Sequence, residues 1–80
     1  MALYSPVWME IARVQYADLP EDLKQSFDSV FAAILDDPKG GGSYDKATDQ
    51  WTAVFGAGRG LLTYAVNDDF VKVIVLRIIS

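Results

Sequence analysis

The hydrophobic period of this chain changes once, at the run Gly40-Gly41-Gly42, and that change limits the folds open to it. Before the glycines, Leu23, Phe27, Val30, Phe31, Ile34 and Leu35 recur at helical spacing and form one apolar stripe. Lys24, Gln25, Asp28 and Ser29 take the opposite, wet face. After the glycines the period is two. Trp51, Ala53 and Phe55 alternate with Thr52 and Val54, and the break Gly56-Ala57-Gly58 leads to a second strand over 59–66. Asn67-Asp68-Asp69 has turn chemistry, and 70–79 reads as a third strand, apolar on both faces around Ile74-Val75-Leu76 as expected of a central, doubly covered strand. A helical segment followed by three such strands predicts an antiparallel meander with helices packed on one face.

A further helix is expected ahead of the striped one. Ser5-Pro6 has the chemistry of a helix start, serine as cap and proline in the first turn. Val7, Ile11 and Val14, with Trp8 and Ala12 beside them, then share a face at helical spacing, and Tyr4 with Met9 is placed for a hydrophobic staple. Asp18-Leu19-Pro20-Glu21 reads as a capping box opening the second helix. The expected fold class is α+β: a two-helix hairpin on a three-stranded antiparallel sheet, or a four-stranded one if Leu3-Tyr4 adds a very short strand.

Eighty residues predict one domain, 1–80, that buries about 60–65% of its unfolded surface. The composition, 51% hydrophobic and 22% charged, suits an ordered core. With no cysteine and no histidine, disulfides, thiol nucleophiles, thiolate metal sites and imidazole catalysis are all excluded. The paired carboxylates Asp36/Asp37 and Asp68/Asp69 read as a helix end and a turn, since adjacent side chains diverge and hard cations want convergent oxygens. The glycine run is no phosphate cradle, because no strand feeds it and no Gly-Lys-Ser/Thr follows. Neither cofactor nor metal is expected. The net charge of −4 and seven scattered basic residues provide no arginine-rich arm for nucleic acid. No secretory signal pattern opens the chain and its longest apolar run is short of a membrane span, so the expected location is the cytoplasm, away from membranes.

The order of these marks resembles the RelE/ParE superfamily of bacterial toxins. Ser5-Pro6 falls where that family opens its first helix, Leu19-Pro20 at its inter-helix break, and Asp36-Asp37-Pro38 at the end of its second helix. Trp51 matches the aromatic that begins the first meander strand. Leu62-Thr63-Tyr64-Ala65-Val66-Asn67-Asp68-Asp69 is similar to the family's Tyr-x-Val-x-Asp segment, and Val73-Ile74-Val75-Leu76-Arg77-Ile78-Ile79 to its last strand.

The resemblance implies the toxin of a type II toxin–antitoxin pair, bound by a cognate antitoxin and acting on messenger RNA at the ribosome or on DNA gyrase. The RNA-cleaving members hold the phosphate with lysines on the first meander strand, an arginine on the second and an Arg/Tyr cluster after the third. Here the first strand has no lysine, Leu61 occupies the arginine position, and Ser80 follows the third strand directly. On the resemblance, Arg59 and Arg77 are the candidate catalytic cations, with Lys72, Trp8 and Trp51 as candidate partner contacts. Each has a plainer reading: Arg59 as a solvated loop residue, Arg77 as a strand-end snorkel, the tryptophans as core or rim aromatics. Tyr64 is expected in the core, and Tyr44, Asp45, Lys46 and Asp49 in a solvated loop. The functional expectations left open are an RNA-cleaving toxin, a non-enzymatic inhibitor of a protein target, and an interaction module without catalysis.

Overall fold

The computed structural model describes residues 3–80. Its elements are β1 (Ser5–Trp8), α1 (Glu10–Ala17), α2 (Glu21–Asp36), β2 (Ser43–Asp45), β3 (Gln50–Phe55), β4 (Gly60–Asn67) and β5 (Lys72–Ile79). They form an α+β fold with two helices and one five-stranded mixed sheet in the order β1-β5-β4-β3-β2. The expected meander is its centre, with β3, β4 and β5 antiparallel in sequence.

The sheet is larger than expected at both edges. Ser5-Pro6 begins a strand rather than a helix, and β1 pairs with β5 in parallel, Ser5 opposite Lys72 and Trp8 opposite Val75. Proline fits there because β1 is an edge strand. The Ser5 amide donates to the Val71 carbonyl at 2.9 Å, so the next nitrogen, that of Pro6, faces outward where no ladder bond is lost. Serine before proline is also biased towards extended backbone. At the other edge Ser43–Asp45 pairs with β3 where a loop was expected. Tyr44 donates to Asp49 at 2.6 Å across that hairpin.

The helical expectations divide. In α2 the stripe holds: Leu23, Phe27, Phe31 and Ile34 are buried, with Val30 and Leu35 packed against them. The capping box does not form. Pro20 is the N-cap without a side-chain bond, and Asp18 instead ends α1, its amide bonded to the Val14 carbonyl. The first helix begins only at Glu10, so Val7 and Trp8 belong to a strand and the Tyr4–Met9 staple has no helix to close. Trp8 sets the phase instead. Its ring packs on Tyr16, Phe27 and Phe31 at centroid distances of 5.6, 5.8 and 5.5 Å, turning Ala12 and Tyr16 inward. Ile11 and Val14, the apolar residues expected to share a face with Val7, are 60% and 52% exposed.

Both helices pack on the same face of the sheet, over Ala53, Phe55, Leu62, Tyr64, Val73, Val75 and Ile78. The change of parity on β5, from odd residues to Ile78, comes from a bulge. Thr63 pairs with Arg77 but Tyr64 pairs with Val75, which leaves Leu76 without an opposite number. Leu76 and Arg77 therefore both face away from the helices.

Candidate functional site: the uncovered face of the sheet

Side chains alternate along a strand, so the residues between the buried ones define the second face. That face carries Val7 of β1, Val54 of β3, Leu61 of β4 and Ile74, Leu76 and Ile79 of β5. Val54 and Ile79 are more than half exposed. No element among the described residues covers it. Lys72 and Arg77 stand on the same face, Lys72 at the start of β5 and Arg77 two residues before its end. The described residues enclose no pocket and hold no cluster of three or more metal-ligating side chains, so what they offer a ligand is this flat surface.

Arg77 is exposed and lies beside Thr63. Neither it nor Lys72 takes part in an ion pair; the two found among the described residues are Lys39–Asp68 and Arg59–Asp22. Arg77 owes its position to the bulge, because strict alternation from Val73 and Val75 would have turned it into the core.

Arg59 is elsewhere. It lies in the turn after β3 rather than on a strand, and that turn is fastened to α2. The Gly56 amide donates to Ser26 Oγ at 2.7 Å, and a Cβ at Gly56, whose φ is +62°, would collide with Leu23 Cδ2. This close approach places Arg59 beside the first turn of α2, where its guanidinium donates to Asp22 Oδ2 at 2.9 Å. The bonded guanidinium holds the Asp22 carboxyl below the usual carboxylate range. Arg59 thus turns to the helical side and Arg77 to the open side. The structure does not bring the two candidate cations together.

The tryptophans also separate. Trp8 is half-buried in the aromatic cluster under the helices. Trp51 lies between Tyr44 and Tyr64, at 4.9 and 6.4 Å, on the helical side of the sheet. Neither faces the open surface. Tyr64 is fully buried, as expected, and its hydroxyl donates to the Pro38 carbonyl at 2.7 Å. Burial pushes its phenol up to about 12.

Sequence reasoning identified Arg77 and Lys72 but not the surface they share. The signal pointed the other way: the apolar run around Ile74 reads as a strand covered on both faces, whereas β5 is covered on one, and Val54 and Leu61 read simply as strand residues.

No protein-family model matches the sequence, and no curated protein matches it. Solved structures do match. The RelBE2 toxin–antitoxin complex of Mycobacterium tuberculosis superposes with a TM-score of 0.83 at 20% identity, covering 96% of each chain. The intact Escherichia coli RelBE toxin–antitoxin complex gives 0.83 at 18% identity, over 94% of this chain and 93% of that one. The isolated E. coli RelE toxin gives 0.83 at 18%, over 94% and 81%. With two helices on one face of a mixed five-stranded sheet, the chain has the fold of the RelE toxins.

Proposed function

We propose that the chain is a toxin-type protein of the RelE/ParE superfamily, held by an antitoxin and acting through protein contacts in the cytoplasm rather than by cutting RNA. The fold supports the first part, as two of the matching structures are toxin–antitoxin complexes. The observation that carries the second is the divergence of the cations. Cleavage through a ribose hydroxyl needs positive groups converging on one phosphate, with an acid and a base in reach. Arg59 is bonded to Asp22 on the helical side while Arg77 stands alone on the open side. The chain also has no histidine or cysteine to move a proton near neutral pH. What the open face does provide is apolar surface, exposed at Val7, Val54, Leu61 and Ile79 on either side of a polar row of Thr52, Thr63 and Arg77, and exposed apolar surface of this kind marks protein-binding sites.

Induced expression in bacteria, with growth followed alongside primer extension across translated messages, tests this reading. The expected result is growth arrest with intact messages, relieved by co-expressing an antitoxin that binds the chain. New cleavage ends would restore the ribonuclease reading. Undisturbed growth with folded protein present would reduce the chain to an interaction module.

A further inference from the structure

Phe70 is 73% exposed, more than any other large apolar side chain among the described residues, and it stands in the turn between β4 and β5. Val71 beside it is 36% exposed and has a φ of +55°, in the left-handed region. A β-branched residue is strained there, where glycine or asparagine would not be. The turn is nonetheless firmly held. Asp68 accepts from the Tyr4 hydroxyl at 2.8 Å and from the Lys39 ammonium at 2.7 Å, and the Phe70 amide donates to Asn67 Oδ1 at 3.1 Å. The Val71 carbonyl accepts from the Ser5 amide, which brings Leu3, 67% exposed, to the same edge of the molecule. A fastened turn that presents apolar side chains to water loses little freedom on binding.

The charges beside these side chains indicate what covers them. Asp69 and Lys72 flank the apolar pair, and neither has an ion-pair partner among the described residues. Asp69-Phe70-Val71-Lys72 thus reads acid, apolar, apolar, base. Laid antiparallel on itself across a two-fold axis, such a run sets Phe70 against Val71 of the second copy and Asp69 against its Lys72, twice over. Glu10-Ile11-Ala12-Arg13 has the same order, but it is helical and Ala12 is fully buried, so those four share no surface. A protein of net charge −4 repels its own copies over most of its surface, and this balanced segment escapes that repulsion. Nucleic acid or an anionic lipid surface would instead meet Asp69 with like charge.

We infer that two copies of the chain associate through this turn, Phe70 on Val71 of the second copy and Asp69 paired with its Lys72. The inference goes beyond the proposed function and does not depend on it. A handful of residues a side, against about 20–30 in a stable interface, makes the association weak, with a Kd on the order of 100 μM.

Sedimentation equilibrium from about 10 μM to about 1 mM tests this, and the weight-average mass should rise from 8.8 kDa towards twice that value. Asp69→Lys and Lys72→Asp each set like charges at both pairs, and each is expected to weaken association at least about tenfold. Mixed in equal amounts, the two variants restore both pairs between unlike chains. The mixture should therefore recover the parental association, with the recovery shrinking at high salt. Phe70→Ser should remain monomeric throughout, and circular dichroism checks that each variant is folded. A parent chain still monomeric at the highest concentration overturns the inference. So does a mixture no more associated than its separate variants, or a Phe70→Ser chain that associates like the parent, because the contact would then lie elsewhere.

Discussion

At the scale of single residues, Gly42 and Tyr64 show how closely this small core is made. Gly42 is a close-contact glycine: a Cβ there would meet Tyr64 Oη at 2.5 Å and the Thr52 carbonyl at 2.9 Å. The hydroxyl is in place because it donates to the Pro38 carbonyl, tying the loop after α2 to the centre of β4. Gly42→Ala must displace that hydroxyl, and an overpacked site of this kind costs about 1–3 kcal/mol. Tyr64→Phe leaves the Pro38 carbonyl without its donor, at a cost of about 1–3 kcal/mol. Because both changes act on one contact, their effects should not add. Urea unfolding of the two single variants and the double variant checks this. Gly42→Ala is expected to cost less in the Tyr64→Phe background, and strict additivity would show that the hydroxyl is not what the alanine strikes.

At the scale of elements, α1 is fixed by β5 as much as by its own sequence. β1 stops at Trp8, opposite Val75, so the edge of β5 beyond that point has no strand beside it. The helix takes over the pairing. The Met9 amide donates to the Val75 carbonyl at 3.1 Å, and the Ile78 amide donates to Gln15 Oε1 at 2.7 Å. Gln15→Leu keeps the bulk and removes the acceptor, leaving a half-buried strand N–H unpaired at about 1–3 kcal/mol. For a domain this size each kcal/mol lowers Tm by about 4–8 °C. Amide exchange should quicken at Ile78 and stay slow at Val73, and uniform acceleration would mean that Gln15 supports the whole core rather than this edge.

The same two elements mark the limit of what the sequence discloses. The α2 stripe and the meander strands were legible because their signals are local and periodic. Ser5-Pro6 was misread because a helix cap and an edge strand use the same residues there, and the choice rests on a parallel partner sixty-seven positions away, Lys72 opposite Ser5. The apolar face of Ile11 and Val14 says nothing by itself of which way it turns, since Trp8 fixes the helix phase from outside the helix and leaves both residues exposed. The open face was half legible: Lys72 and Arg77 were named, but a bulge at Leu76 decides where Arg77 points, and no local pattern announces it.

At the scale of the whole molecule, composition dictates how stability responds to pH. With no histidine or cysteine, no side chain of ordinary pKa titrates between about pH 5 and 9, so stability should be flat across that range. Both limbs beyond it have identifiable sources. On the acid side, the Lys39 ammonium, and after it the Tyr4 hydroxyl, hold the Asp68 carboxyl below its ordinary 3.8. The Arg59 guanidinium does the same for Asp22. A carboxyl lowered by folding contributes fully above its unfolded value and loses that contribution as pH falls through the lowered one. On the alkaline side the sign reverses. Burial raises Tyr64 from 10.0 to about 12, so the unfolded chain gives up its phenolic proton first and stability falls as pH rises between those values. A two-unit shift at this buried phenol corresponds to roughly 2–3 kcal/mol. Tyr64→Phe cannot lose it. Urea midpoints taken from pH 4 to pH 12 should therefore show a plateau for both proteins, with Tyr64→Phe the weaker, and a gap that narrows above pH 10 as the parent chain alone forfeits the Tyr64 contribution. A gap that stays constant to pH 12 would mean that the phenol reaches solvent before the core opens, and that the clasp between Tyr64 and Pro38 yields independently of the sheet.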